Sequence, residues 1–146
     1  MSEAFSKITS ILICVFMMFI IPVFYMKEEA FRLKQTYILE DITSFVDGVR
    51  NTGILGMEDY DRLEQELFAL GGGYDVKIEH SRHIHEGTGE EIKYFEERYY
   101  TLQILEYFKR GEDYYLSKSD YLKVVVYDED NSVVAWYGGS VKYEAY

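Results

Sequence analysis

Three histidines stand close together in His80-Ser-Arg-His83-Ile-His85, with Glu79 and Glu86 beside them, and are the first candidates for chemistry. Imidazole clusters hold zinc or copper when their ring nitrogens converge on one point. On a strand His83 and His85 share one face while His80 points to the other, so convergence needs a bend. The helical His-x-x-x-His spacing is missing and no cysteine stands nearby. The spacing therefore predicts no metal and no cofactor at His80, His83 and His85, and a solvated strand end instead. Glu90-Glu91 and Glu96-Glu97 are the acid–base candidates. Paired acids for glycoside chemistry come from separate elements, and adjacent carboxylates in so acidic a chain read as a solvated face. Gly71-Gly72-Gly73 lacks the preceding strand, the following helix and the Gly-Lys-Ser/Thr of a phosphate loop, so it reads as a turn. No serine, cysteine or lysine nucleophile sits in a recognisable frame, and the lone Trp136 reads as a core or interface residue. The residues predict no enzyme.

The stretch that organises the chain is Ile8–Met26, nineteen residues without a charge between Lys7 and Lys27-Glu28-Glu29. At about 1.5 Å of rise per residue, such a helix is just long enough to cross a hydrocarbon core of about 30 Å. A cleaved secretory signal would have a shorter apolar run ending in small residues. Here the run ends Pro22-Val-Phe-Tyr-Met26. A lipoprotein signal would need a small residue before Cys14, where Ile13 stands. A retained transmembrane anchor is the expectation. Pro22 removes a helix donor and crowds the carbonyl four residues back, which predicts a kink or local melt near Met18.

Beyond the anchor, residues 27–146 are one domain's worth of chain. Only Glu3 and Lys7 are charged before Lys27, so the domain keeps the whole net charge of -11. That balance repels phosphate backbones and anionic lipid heads, and disfavours nucleic-acid partners. The single cysteine lies in the anchor, so no intramolecular disulfide forms. Fifteen Tyr and nine Phe suit half-buried strands and interfaces. Lys27, Arg32 and Lys34 against Lys7 and the amino terminus give a thin positive-inside count that places the domain in the cytoplasm.

Phe31, Gln35, Ile38, Ile42, Phe45 and Val49 recur at spacings of three and four, one stripe on a helix that stops at Asn51-Thr52-Gly53. A second helix is predicted over Glu58–Leu70, with Tyr60, Leu63, Leu67 and Leu70 on one face. Tyr74–Ile78 alternates as a strand, Glu86–Glu91 reads as a loop, and Ile92–Tyr100 is open between strand and helical turn. Thr101 reads as the cap of a helix to Arg110 with Leu102, Leu105 and Phe108 apolar. Tyr121–Tyr127 is the clearest strand, turning at Asp128–Asn131 into a partner over Ser132–Tyr137. Gly138-Gly139 is expected to break that strand, and Val141–Tyr146 to add a last one. The fold class expected is α+β: an N-terminal transmembrane helix continuing into an amphipathic stalk helix packed on a small antiparallel sheet. The stripe Phe31, Ile38, Ile42, Phe45 and Val49 is expected to cover that sheet.

With these residues in view, most of the chain resembles the TadE-like pseudopilins of tight-adherence pili, in their divergent Gram-positive form. Three blocks carry the resemblance. One is the anchor with Pro22 running into the amphipathic helix. Another is Asp47-Gly-Val-Arg-Asn-Thr-Gly53, then Tyr60 and Gly71–Gly73-Tyr-Asp-Val76. The third is Tyr100-Thr-x-Gln-Ile-Leu105, Tyr114-Tyr-Leu116, Ser119-Asp-Tyr-x-Lys-Val-Val-Val126 and Tyr137-Gly-Gly139. A prepilin leader would end in Gly or Ala before an aromatic, with Glu five places into the mature helix; around Phe5 that place holds Thr9. The resemblance implies a pilin-like fold, a head outside the membrane against the charge count, and a structural subunit of a pilus-like, secretion or conjugation apparatus. It implies as partners the membrane, other pilin or pseudopilin subunits and assembly-platform proteins. The alternatives are a membrane-tethered extracellular binding module and, last, a metal-dependent membrane enzyme built on the histidines.

Overall fold

A computed structural model describes residues 2–86 and 93–142. The elements in order are α1 (Ser2–Thr52), β1 (Ile54–Leu55), α2 (Met57–Ala69), β2 (Asp75–Glu86), β3 (Lys93–Tyr100), α3 (Thr101–Lys109), β4 (Tyr114–Tyr115), β5 (Tyr121–Tyr127) and β6 (Val133–Ser140). The chain divides into two compact units, residues 1–36 and 37–146. The class is α+β, with a long N-terminal apolar helix and two small antiparallel sheets. Residues 87–91 of the expected loop and 143–146 of the expected last strand lie outside the described residues.

The N-terminal unit is helix alone. The helix runs unbroken past Pro22, although that residue donates no hydrogen bond, so the expected local melt near Met18 is not seen. Phe31 belongs to this unit and is 52 % exposed, which corrects its place in the covering stripe. The reason is supply: a unit made of one helix has no second element to cover a ring.

In the second unit the rest of the stripe behaves as the spacing predicts. Ile38, Ile42, Phe45 and Val49 are buried, joined by Val46, which widens the stripe into a full core face. Gly53 ends α1 at φ 72°, where a side chain is disfavoured, and its N–H closes on the Val49 carbonyl at 2.7 Å. Helix α2 buries Tyr60, Leu63 and Leu67 as expected. Gly71, at φ 74°, turns the chain out of it.

The main sheet has the order β3-β2-β5-β6, antiparallel throughout, and β1 pairs separately with β4. Its inner face follows from period-2 alternation: Val76, Ile78 and His80 on β2 lie opposite Val126, Val124 and Leu122 on β5. All six are buried, and the five apolar ones join the α1 stripe in one core. Ile92–Tyr100 resolves as strand from Lys93, paired along β2.

Three local expectations are corrected. Thr101 is the first residue of α3 rather than its cap. Its hydroxyl accepts from the Ile78 N–H at 2.7 Å and donates to the Ile78 carbonyl at 3.3 Å, and Gln103 caps the Tyr100 N–H. That rotation buries Ile104 and Phe108 and leaves Leu102 79 % exposed. The glycine pair does not break β6, which runs to Ser140 with Gly139 opposite Leu122. A Cβ on Gly139 would lie 2.5 Å from the Arg50 guanidinium carbon, so the glycine leaves room for the Arg50 side chain of α1 against the strand.

Candidate functional site

The expectation of a solvated strand end fails at His80. β2 does not stop at Ile78 but runs to Glu86, so alternation carries His80 onto the inner face, where it is fully buried. The side chains of His83 and His85 lie outside the described residues; their backbone pairs them with Glu96 and Tyr94. Among the described residues, no group of three or more His, Cys, Asp or Glu is arranged to hold a metal ion.

His80 is the centre of a buried polar node instead. Its Nε2 lies 2.9 Å from Asp120 Oδ2, and its Nδ1 lies 2.7 Å from the Tyr114 hydroxyl. A carboxylate only accepts, which assigns the proton of the neutral ring to Nε2 and leaves Nδ1 to accept from the Tyr114 O–H. Asp120 Oδ2 also accepts from Ser117 N–H at 2.9 Å and from Arg82 Nε at 3.3 Å. The Tyr99 ring stacks on His80 at 5.4 Å from β3, and Tyr114 meets it edge-on at 5.5 Å. Tyr107 of α3 packs on Tyr114 in turn. Asp120 is held in place by a turn in which its N–H reaches the Ser117 carbonyl and Ser119 adopts φ 74°. A non-glycine residue there costs about 1–2 kcal/mol, which the turn's hydrogen bonds offset.

Burial pushes the His80 pKa below its usual value, and the Asp120 hydrogen bond only partly opposes it. Arg82 is pulled down by desolvation but held above its ordinary value by Asp120. Burial raises the Tyr114 hydroxyl. The node resembles a relay on paper, yet Tyr114 is only 4 % exposed and His80 not at all. Its chemistry is that of a fully satisfied polar tie joining β2, β4 and the turn before β5. No buried side-chain polar atom among the described residues lacks a partner.

A lowered folded-state pKa fixes the sign of the pH response. Neutral His80 contributes stability above its unfolded value of about 6.5, and that contribution is lost as pH falls through the lower folded value. Protonation would put a second donor against Tyr114 and a charge in the core beside Arg82. We expect the melting temperature of the full chain in detergent to fall between pH 7 and pH 5, with Asp120, Arg82, Tyr99 and Tyr114 facing the ring. In His80→Gln that slope should flatten; an unchanged slope would assign the acid sensitivity elsewhere.

Other surfaces are open rather than enclosed. A broad hollow lies between α2 and the glycine turn, lined by Asp61, Glu64, Phe68, Tyr74 and Glu129. Trp136 is 57 % exposed on the outer sheet face, which rules it out of the core, and Lys123 lies over its ring at 5.9 Å. In the N-terminal unit Phe16, Phe19, Phe24 and their neighbours are exposed all round. This is the one segment among the described residues long and apolar enough to cross a membrane. Sequence spacing found that segment and the α1 stripe. It missed Asp120, Tyr114, Arg82 and Tyr99, whose only advance signal was the parity of His80 with Val76 and Ile78. Comparison with protein-family models, with curated proteins and with solved structures finds no match.

Proposed function

We propose that the chain is a membrane-anchored minor pilin or pseudopilin, a structural subunit of a pilus-like, secretion or conjugation apparatus. The observation that carries this reading is the change of character along α1. Residues 8–26 expose apolar side chains on every side, while from Ile38 the same helix buries a single stripe against a small antiparallel sheet. An apolar surface of that extent is rare on proteins in water, and lipid is the solvent in which a helix carries it without cost. An apolar anchor running into an amphipathic helix over a small sheet is a pilin-like plan. The residue blocks shared with TadE-like pseudopilins support the same reading.

In this role the anchor packs with other such helices in the membrane, and the head meets neighbouring pilin or pseudopilin heads and assembly-platform proteins. The buried polar tie at His80 serves rigidity, which a mechanical subunit needs. The head lies outside the cytoplasm in a single-pass arrangement. Protease added to intact spheroplasts is then expected to digest residues 37–146. Full protection, with digestion only after lysis, would place the head inside and end the pilus reading.

A further inference from the structure

We propose that the hollow beside α2 docks a basic segment of a partner protein, one that carries aromatic or aliphatic side chains between its lysines and arginines. This goes beyond the pilin reading and rests on the surface of the head alone. The hollow has a volume of about 950 Å³ and stays open to solvent. Its apolar lining runs from the buried Leu67 and Val76 to the half-buried Tyr74 and to Phe68, which is 82 % exposed. The glycine turn shapes the other side. A Cβ on Gly72 would lie 2.8 Å from the Tyr74 ring, and one on Gly73 would lie 2.9 Å from Glu129 Oε1, so both glycines let those side chains lie against the turn. The Gly73 N–H donates to Glu129 Oε1 at 3.3 Å, which holds that carboxylate at the hollow.

Charge selects the occupant. Asp61, Glu64 and Glu129 line the hollow, and Asp128 and Asp130 line a smaller one beside it. No lysine or arginine lines either. Elsewhere on the head acids are paired: Asp47 with Arg50, Asp59 with Arg62, Asp75 with Lys77 and Glu79 with Lys123. Among the described residues, none of the five acids at the hollows forms such an ion pair. The uncompensated charge acts on the groups around it. Burial, and then Glu64, Asp75 and Asp61, raise the Tyr60 hydroxyl; burial, and then Glu66 and Glu40, raise the Asp41 carboxyl. A basic segment supplies the missing charge, and its apolar side chains cover Phe68. An anionic lipid surface is repelled by the same field. The open shape suits a chain lying along the surface, whereas small ligands are mostly enclosed.

The test is fluorescence anisotropy of the full chain in dodecyl maltoside micelles, with empty micelles as the blank and labelled acetyl-Lys-Arg-Phe-Lys-Leu-Arg-Lys-amide as the probe. Saturable binding is expected, weakening as salt rises, because exposed charges are screened over about 10 Å at 0.1 M. Glu64→Gln with Glu129→Gln should weaken it about tenfold, and Phe68→Ser by about as much. The melting temperature should not move, since all three side chains are exposed. Glu28→Gln with Glu106→Gln removes as much charge away from both hollows and should leave binding as in wild type. Absence of binding overturns the proposal. So does equal weakening by that control pair, or equal affinity for acetyl-Lys-Arg-Gly-Lys-Gly-Arg-Lys-amide, because either reduces the attraction to net charge. Spermine that displaces the probe at a lower concentration than the unlabelled peptide would make the hollow a polyamine site. A wild-type dimer in sedimentation equilibrium that Phe68→Ser abolishes would make a second copy the occupant. Both results also overturn the proposal.

Discussion

Ile42→Ala combined with Phe45→Ala will melt the head of the full chain in detergent well below the wild-type temperature. Ile42 is fully buried and Phe45 is 7 % exposed, one turn apart on the face of α1 that covers the sheet. Truncating such side chains costs about 2–5 kcal/mol each, against a total stability of about 5–15 kcal/mol for a domain. The two are neighbours, so the sum is not strictly additive, but even the lower bound is a large share of the total. Glu28→Ala serves as the control. Its ion pair with Arg32 spans 2.8 Å but both side chains are well exposed, and such pairs contribute at most about 1 kcal/mol. Thermal unfolding followed by near-ultraviolet circular dichroism separates the outcomes. A double variant that keeps its melting temperature but no longer associates with other subunits would make the stripe an assembly surface.

Asp120→Ala should be nearly as damaging, for a different reason. One oxygen of that carboxylate accepts from His80 Nε2, Arg82 Nε and Ser117 N–H. Removing it leaves the fully buried His80 proton and a half-buried Arg82 without their acceptor. Breaking a buried charged network costs about 3–5 kcal/mol when one partner is deleted. Asp120→Asn keeps one acceptor and the shape, so it should recover part of the loss. Equal damage from Asn and Ala would mean that the charge, not the hydrogen bonds, carries the tie. A melting temperature unchanged in both would show that the node contributes nothing to the fold.

Local signals carried the helices and the clearest strand. The α1 stripe from Ile38 to Val49, its stop at Gly53 and the α2 face at Tyr60, Leu63 and Leu67 all depend on side chains three or four residues apart, which spacing displays directly. The Tyr121–Tyr127 strand is a run of β-branched and aromatic residues and needs no partner to be seen. The node did not show itself because its members are far apart: Tyr114 and Asp120 stand 34 and 40 residues from His80. No periodicity links them, and a histidine after Val76 and Ile78 looks like the end of an apolar alternation rather than its continuation. The glycine pair in β6 misled for a similar reason. Glycine weakens a lone strand, but here Gly139 makes room for Arg50, a residue of α1 whose approach no local window contains. Thr101 was visible as a small polar residue at a helix start, yet its hydroxyl is taken by Ile78 across the sheet. Each error lies where a tertiary contact overrides a local preference.

The central claim is that α1 spends its N-terminal part in lipid. Membranes from cells expressing the full chain, washed with alkaline carbonate, test it most directly. Integral proteins stay in the pellet and peripheral ones are released. The chain is predicted to remain wholly in the pellet, and Val15→Asp with Phe19→Asp, two charges costing several kcal/mol near the bilayer centre, to shift it to the supernatant. Release of the wild-type chain by carbonate would contradict the account.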